Sequence, residues 1–363
     1  CAVALAWAAI AAAAPLDLAA VPAKAQWLMH FDMDAAREST VLKRAWERAM
    51  KMHPQAEQMM KMGAGMMGMD PRKDLRDVTA FGMDTDKHNG VMIVRAKANR
   101  DMLEQMVAKA PDHETMEHRK YTLHAWTHKG WKGHKGERVV GAFHRDDVMV
   151  FAKTPDQVKA ALDVLDGEAK SVSGDGPLGG RVRPGSVVVA RAAAVDPETK
   201  CPVLRQGRSF RVAMGENDGV SFYRARLEMK SDEAADGAED VVEGLEALAR
   251  LRFGDDAAVM KLVAGLETKT EGSTCMVSWD APADGVWAVL EKMAERWEKK
   301  QKEWMRAHGG KGAGAGKGGC PCGDRCGCGK DGCKGCDKCP AECPMKKKGG
   351  AEKSGGALRD DEF

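Results

Sequence analysis

Eight of the chain's eleven cysteines fall in one short stretch, CPCGDRCGCGKDGCKGCDKCPAECP, residues 320–344. They are Cys320, Cys322, Cys326, Cys328, Cys333, Cys336, Cys339 and Cys343, with no large apolar residue among them. Cysteines two or three positions apart can place both sulfurs on one ion at about 2.3 Å with little backbone cost. Eight thiolates suffice for two separate four-cysteine sites or one bridged cluster. Soft thiolates select zinc or copper(I), and a peptide of this kind folds only around its metal. The interspersed lysines offset the negative charge of a metal–thiolate cluster.

The Cys-x-Cys pairs amid glycine and lysine resemble metallothioneins, a resemblance of composition confined to residues 320–344. Inside it, Cys333, Cys336, Cys339, Cys343 and Pro344 match the C-x2-C-x2-C-x3-C-P spacing of bacterial ferredoxins. An iron–sulfur cluster is therefore an alternative cofactor. The residues between those cysteines (Lys, Gly, Asp, Pro, Ala, Glu) give it no apolar cover from solvent. Disulfides are a third state, because the count is even and an exported chain meets oxidant. A low-complexity tail without a defined role is the fourth.

Two other clusters hold soft or borderline ligands. MKMHPQAEQMMKMGAGMMGM carries Met50, Met52, Met59, Met60, Met62, Met66, Met67 and Met69 beside His53. Thioethers bind copper(I), but methionine at helical spacing is ordinarily core. His118, His124 and His128 share one face if residues 118–128 form a continuous strand. His124 and His128 would then lie about 13 Å apart, so His144 on a neighbouring strand would be needed to complete a metal site. A solvated sheet face explains them more simply than a metal site. Cys201 and Cys275 read either as a disulfide or as two buried thiols. Gly174, Gly176 and Gly179 match a dinucleotide fingerprint in form only, because Pro177 sits inside it and no strand–turn–helix surrounds it. No Ser-His-Asp order, His-Glu-x-x-His or Walker loop is present, so an enzyme is the class with least support.

The elements that must carry these residues follow from periodicity. CAVALAWAAIAAAAP is apolar but shorter than the roughly 20 residues a bilayer needs. It fits the apolar region of a signal peptide over residues 1–14 with its basic start missing, which predicts a secreted or periplasmic protein. No later segment can cross a membrane. QWLMHFDMDA alternates Trp27, Met29, Phe31 and Met33 and predicts a strand that buries them. Helical spacing follows, broken at Pro54. Asn89-Gly90 and Asp218-Gly219 predict hairpins. TPDQVKAALDVLDG predicts a helix with Thr154 as N-cap, Pro155 in its first turn and Gly167 as C-cap. The segment 169–184 reads as a linker, after which the pattern restarts. NGVMIVRAKA parallels DGVSFYRARL, and each half ends in a strand and a helix.

The expected fold is α+β. Two tandem repeats, 16–168 and 185–307, would each form an antiparallel sheet with helices packed on one face. A Gly/Lys linker (308–319), the Cys-rich tail (320–344) and a disordered end (345–363) complete the chain. LDLAAVPAKAQWLMHFDMDAARES, DVTAFG, HRKYTLHAWTH and VFAKTPDQVKAALDVLDG resemble a family of uncharacterised exported bacterial proteins with two such repeats, over about residues 16–300. That resemblance implies export and a two-repeat body, and no activity.

Composition narrows the partners. The net charge is +2 and aromatics make up 5% of the 363 residues, which argues against a nucleic-acid partner. The function expected is therefore that of an exported, non-enzymatic protein whose tail binds zinc or copper through the eight cysteines. Metal ions and a protein are its expected partners. The alternatives are an envelope interaction protein with a disulfide-bonded or functionless tail, and an iron–sulfur redox protein.

Overall fold

A computed structural model of the chain describes residues 16–86, 89–128 and 136–308. The expected signal peptide, the Gly/Lys linker beyond His308, the Cys-rich tail and the C-terminal end lie outside the described residues. Contacts divide the chain into two units, 1–291 and 292–363.

The first unit is α+β. In chain order the described elements are β1 (Trp27–Asp32), α1 (Met33–Glu38), α2 (Thr40–Met52), α3 (Pro54–Met67), β2 (Leu75–Gly82), β3 (Gly90–Ala96) and α4 (Arg100–Ala108). There follow β4 (Glu114–His118), β5 (Tyr121–His128), β6 (Glu137–Arg145), β7 (Val148–Ala152) and α5 (Pro155–Leu165). The remainder are β8 (Ser186–Ala192), α6 (Pro202–Arg205), β9 (Gly207–Asn217), β10 (Val220–Met229), α7 (Asp232–Phe253), α8 (Ala257–Val263), β11 (Leu266–Glu271), β12 (Thr274–Pro282) and α9 (Ala283–His308). Helix α9 runs across the boundary between the units; within the second, Trp297 and Trp304 on this helix are exposed.

All twelve strands join one antiparallel sheet in the order β11-β12-β10-β9-β8-β1-β2-β3-β7-β6-β5-β4. The expected antiparallel α+β architecture is present, but as one continuous sheet. Its two halves join at the β1–β8 pair, in register from Trp27↔Ala192 to Phe31↔Val188. Read outward from that pair, the order is β1-β2-β3-β7-β6-β5-β4 one way and β8-β9-β10-β12-β11 the other, so the first five strands of each arm correspond and β5 and β4 extend the first.

Helices cover both faces rather than one, because the strands are apolar on both. On the first face, α5 packs Val158, Ala161 and Leu162 against Leu123, Val140 and Val150. Its N-terminus is built as the sequence predicts. The Thr154 side chain accepts from the Gln157 N–H, Gln157 returns a bond to the Thr154 backbone, and Pro155 occupies the first turn. On the opposite face, α4 lies over Trp126, Phe143 and Phe151, and α7 lies over Leu227, Met229 and Cys275. Deleting a buried leucine or phenylalanine from such a core costs about 2–5 kcal/mol.

Strand β1 reverses the expected burial. Leu28, His30 and Asp32 are the buried set, while Met29 and Phe31 are 39% and 38% exposed. Met33 starts α1 instead of continuing the strand. The polar residues tolerate burial because they are bonded. His30 Nδ1 is 2.9 Å from Thr79 Oγ1, and Asp32 caps α1 by accepting from the Ala35 N–H at 2.8 Å. The 169–184 segment is docked on the sheet: Ser171 bridges to Pro22, and Leu178 belongs to the core.

Candidate functional site

The eight tail cysteines (Cys320, Cys322, Cys326, Cys328, Cys333, Cys336, Cys339 and Cys343) lie outside the described residues. The described clusters can be placed. His118 and His124 do not share a strand, because Arg119, at φ 54°, and Lys120 turn the chain between β4 and β5. His128 is exposed at the end of β5, and the others have separate partners. His118 Nε2 is 2.9 Å from Asp163, His144 Nε2 is 3.1 Å from Asp166, and His113 Nε2 is 3.1 Å from His124 Nδ1. Burial, then the like charge of His113, holds His124 below the ordinary imidazole range against the opposing pull of Glu104. Among the described residues no three His, Cys, Asp or Glu side chains converge as a metal site. Of the methionines on α2 and α3, Met52, Met59 and Met62 are exposed, so these do not serve as core. Cys201, exposed at the start of α6, and Cys275, buried on β12, are both free.

What the fold does concentrate is positive charge. Over β8–β12 the face that α5 covers in the other half carries no packed helix among the described elements. There it forms a groove of about 800 Å³. Its lining includes Arg181, Arg183, Arg191, Arg211, Arg224, Arg226 and Lys269, against the single carboxylate of Glu267. Register explains the concentration. Arg191 pairs with Arg211, Arg211 with Arg226, Arg226 with Met276, and Met276 with Lys269. One row across five strands thus carries four cations, three of them directly adjacent. Like charges opposite each other weaken a sheet, so this row is costly when empty.

Local bonds hold the row in place. Arg191, 4% exposed, donates to the carbonyls of Leu178 (2.6 Å), Gly179 (2.7 Å), Gly180 (3.1 Å) and Arg181 (3.4 Å). Arg211 donates to the carbonyls of Pro177 and Gly176, each at 2.9 Å. These carbonyls satisfy the guanidinium N–H groups without neutralising them. Burial, then repulsion from Arg211, lowers the pKa of Arg191 to about 10, so it stays charged at neutral pH. At the rim, Asp280 bonds both Arg183 (3.3 Å) and Arg224, and the Arg183 guanidinium lies 4.4 Å from the centre of the Phe222 ring. Charge-dense, concave and open to solvent, the groove suits anion capture. Its sequence signal was faint: Arg224 and Arg226, two apart on one strand, share a face, but the other members are spread over residues 181–269 and a net charge of +2 hides them.

Comparison with known protein families finds no match, and comparison with curated proteins finds none. Solved structures of TP0453 are distantly similar. Crystal form III aligns with a TM-score of 0.42 and 8% identity over 76% of this chain and 98% of that one. Crystal form I aligns with a TM-score of 0.40 and 9% identity over 77% and 98%. Among the described residues no helix is long and apolar enough to cross a membrane.

Proposed function

We propose that this chain is an exported, non-enzymatic binding protein: its body uses the cationic groove as a binding surface, and its Cys-rich tail holds zinc or copper(I). The body's part rests on one observation, the Arg191–Arg211–Arg226 row that strand register assembles at the floor of the groove. Binding is favoured over catalysis because the proton-transfer residues are tied into architectural pairs. His118 and His144 anchor α5 through Asp163 and Asp166, and Asp77 faces Arg95, all in the half of the sheet opposite the groove. The tail's part rests on the spacing of Cys320, Cys322, Cys326, Cys328, Cys333, Cys336, Cys339 and Cys343. The matching order of the first five strands on each side of the β1–β8 junction supports descent of the two halves from a tandem repeat, with β4 and β5 an addition to the first.

Metal content separates the readings of the tail. Full-length protein, purified anaerobically from its native compartment, is compared by mass spectrometry with a version ending at His308. Two or more zinc or copper ions per chain, lost on truncation, are expected. No metal and no free thiols in the tail would overturn the metal reading and leave a disulfide-bonded tail on an interaction protein. Visible absorption with bound iron would favour the ferredoxin-like spacing of Cys333, Cys336, Cys339 and Cys343.

A further inference from the structure

We propose that the groove takes an extended, multiply charged anion of the phosphate or sulfate class, laid across the strands along the row from Arg211 to Lys269. This rests on the groove being the body's binding surface. The row fixes the ligand's shape. Neighbouring strands are about 4.8 Å apart, so Arg211 and Arg226 present charge at adjacent steps and Lys269 two steps further on, with the buried Arg191 adding its charge from beneath the 176–181 strap. From Arg211 to Lys269 is three steps, roughly 14 Å at the backbone. A lone tetrahedral anion spans two adjacent strands and leaves the remaining charge in the row unanswered. A chain of anionic groups answers it throughout.

The present partners leave that charge in excess. Arg191 and Arg211 meet only backbone carbonyls, from the 176–181 strap. The carboxylate nearest Arg226, that of Glu228, stands 4.0 Å away. Lys269 has Glu271 beside it, and Asp280 is shared between Arg183 and Arg224. With Glu267, four carboxylates face seven cations around the groove. The cations are chemically biased as well: six of the seven are arginines, whose planar fork donates two parallel N–H bonds to phosphate or sulfate oxygens.

The test titrates full-length protein in EDTA at low salt, by calorimetry, with tripolyphosphate, orthophosphate and a fully sulfated disaccharide. Tripolyphosphate or the disaccharide should bind at least ten times more tightly than orthophosphate, and the tighter of the two tells phosphate from sulfate. The double variant Arg226→Ala, Lys269→Ala alters side chains that are 48% and 69% exposed. It should weaken binding about tenfold, or about 1.4 kcal/mol, without lowering the melting temperature of the free protein. Affinity for both tripolyphosphate and the disaccharide no greater than for orthophosphate would overturn the extended ligand and leave the groove as an anion site. Binding unchanged in the double variant would place the anion elsewhere on the chain and overturn the inference. No binding of any of the three anions would sink the groove reading itself.

Discussion

Asp77 gives the most quantitative check on the fold. It sits at the centre of the sheet, 0% exposed, with Asp32 opposite it on β1. Its Oδ1 is 3.5 Å from Arg95, and its Oδ2 has no hydrogen-bond partner. Burial, reinforced by the charge of Asp32 and opposed by Arg95, raises its pKa from 3.8 to about 6. The folded protein therefore holds this proton more tightly than the unfolded chain does. Between pH 3.8 and about 6 the folded state binds more protons, so this group's contribution to stability falls as pH rises and stays low above pH 6. The shift is worth about 3 kcal/mol, at about 1.4 kcal/mol per unit, with little solvent to screen it. Asparagine mimics the protonated form, and Arg95 keeps Asp17 at 2.9 Å. Urea unfolding followed by tryptophan fluorescence should find Asp77→Asn matched to the wild type near pH 4 and more stable by up to about 3 kcal/mol at pH 8. A difference that does not change between pH 4 and pH 8, or one that favours the wild type increasingly at high pH, would refute the assignment of a buried, ill-paired carboxylate.

Two further outcomes follow from the described contacts. The Glu216 carboxylate on β9 accepts from Ser39 Oγ (2.9 Å), Thr40 N–H (3.0 Å) and Val41 N–H (3.2 Å), so it caps α2 from across the chain. Burial opposes its ionisation, but these bonds outweigh burial and hold its pKa low. Glu216→Ala should cost about 1–2 kcal/mol and speed amide exchange in the first turn of α2, with the sheet unaffected; unchanged exchange there would count against the cap. Iodoacetamide followed by peptide mapping should modify Cys201 in the native protein and Cys275 only on unfolding, because burial raises the Cys275 thiol pKa. Native labelling of Cys275 would contradict the packing of α7 against β12.

Much of the local structure was legible because it is written in neighbouring residues. Thr154, Pro155 and Gln157 set the start of α5, and Pro54 separates α2 from α3. Asp218 and Gly219 turn β9 into β10, both at positive φ, where glycine and aspartate cost least. The alternation of β1 was visible too, but not which face would be buried. That depended on Thr79 standing opposite His30 and on a helix N-terminus waiting for Asp32.

The sequence by itself determined the capped start of α5, the break at Pro54, the Asp218-Gly219 turn and the cysteine spacing of the tail, since each depends on residues within a turn or two of one another. Only the tertiary structure decided that the halves join through β1 and β8, because strand pairing at long range is set by burial across the whole sheet and leaves no local mark. The groove has the same origin. Arg191, Arg211, Arg226 and Lys269 stand far apart in the chain, each an ordinary cation on an ordinary strand, and antiparallel register alone lines them up.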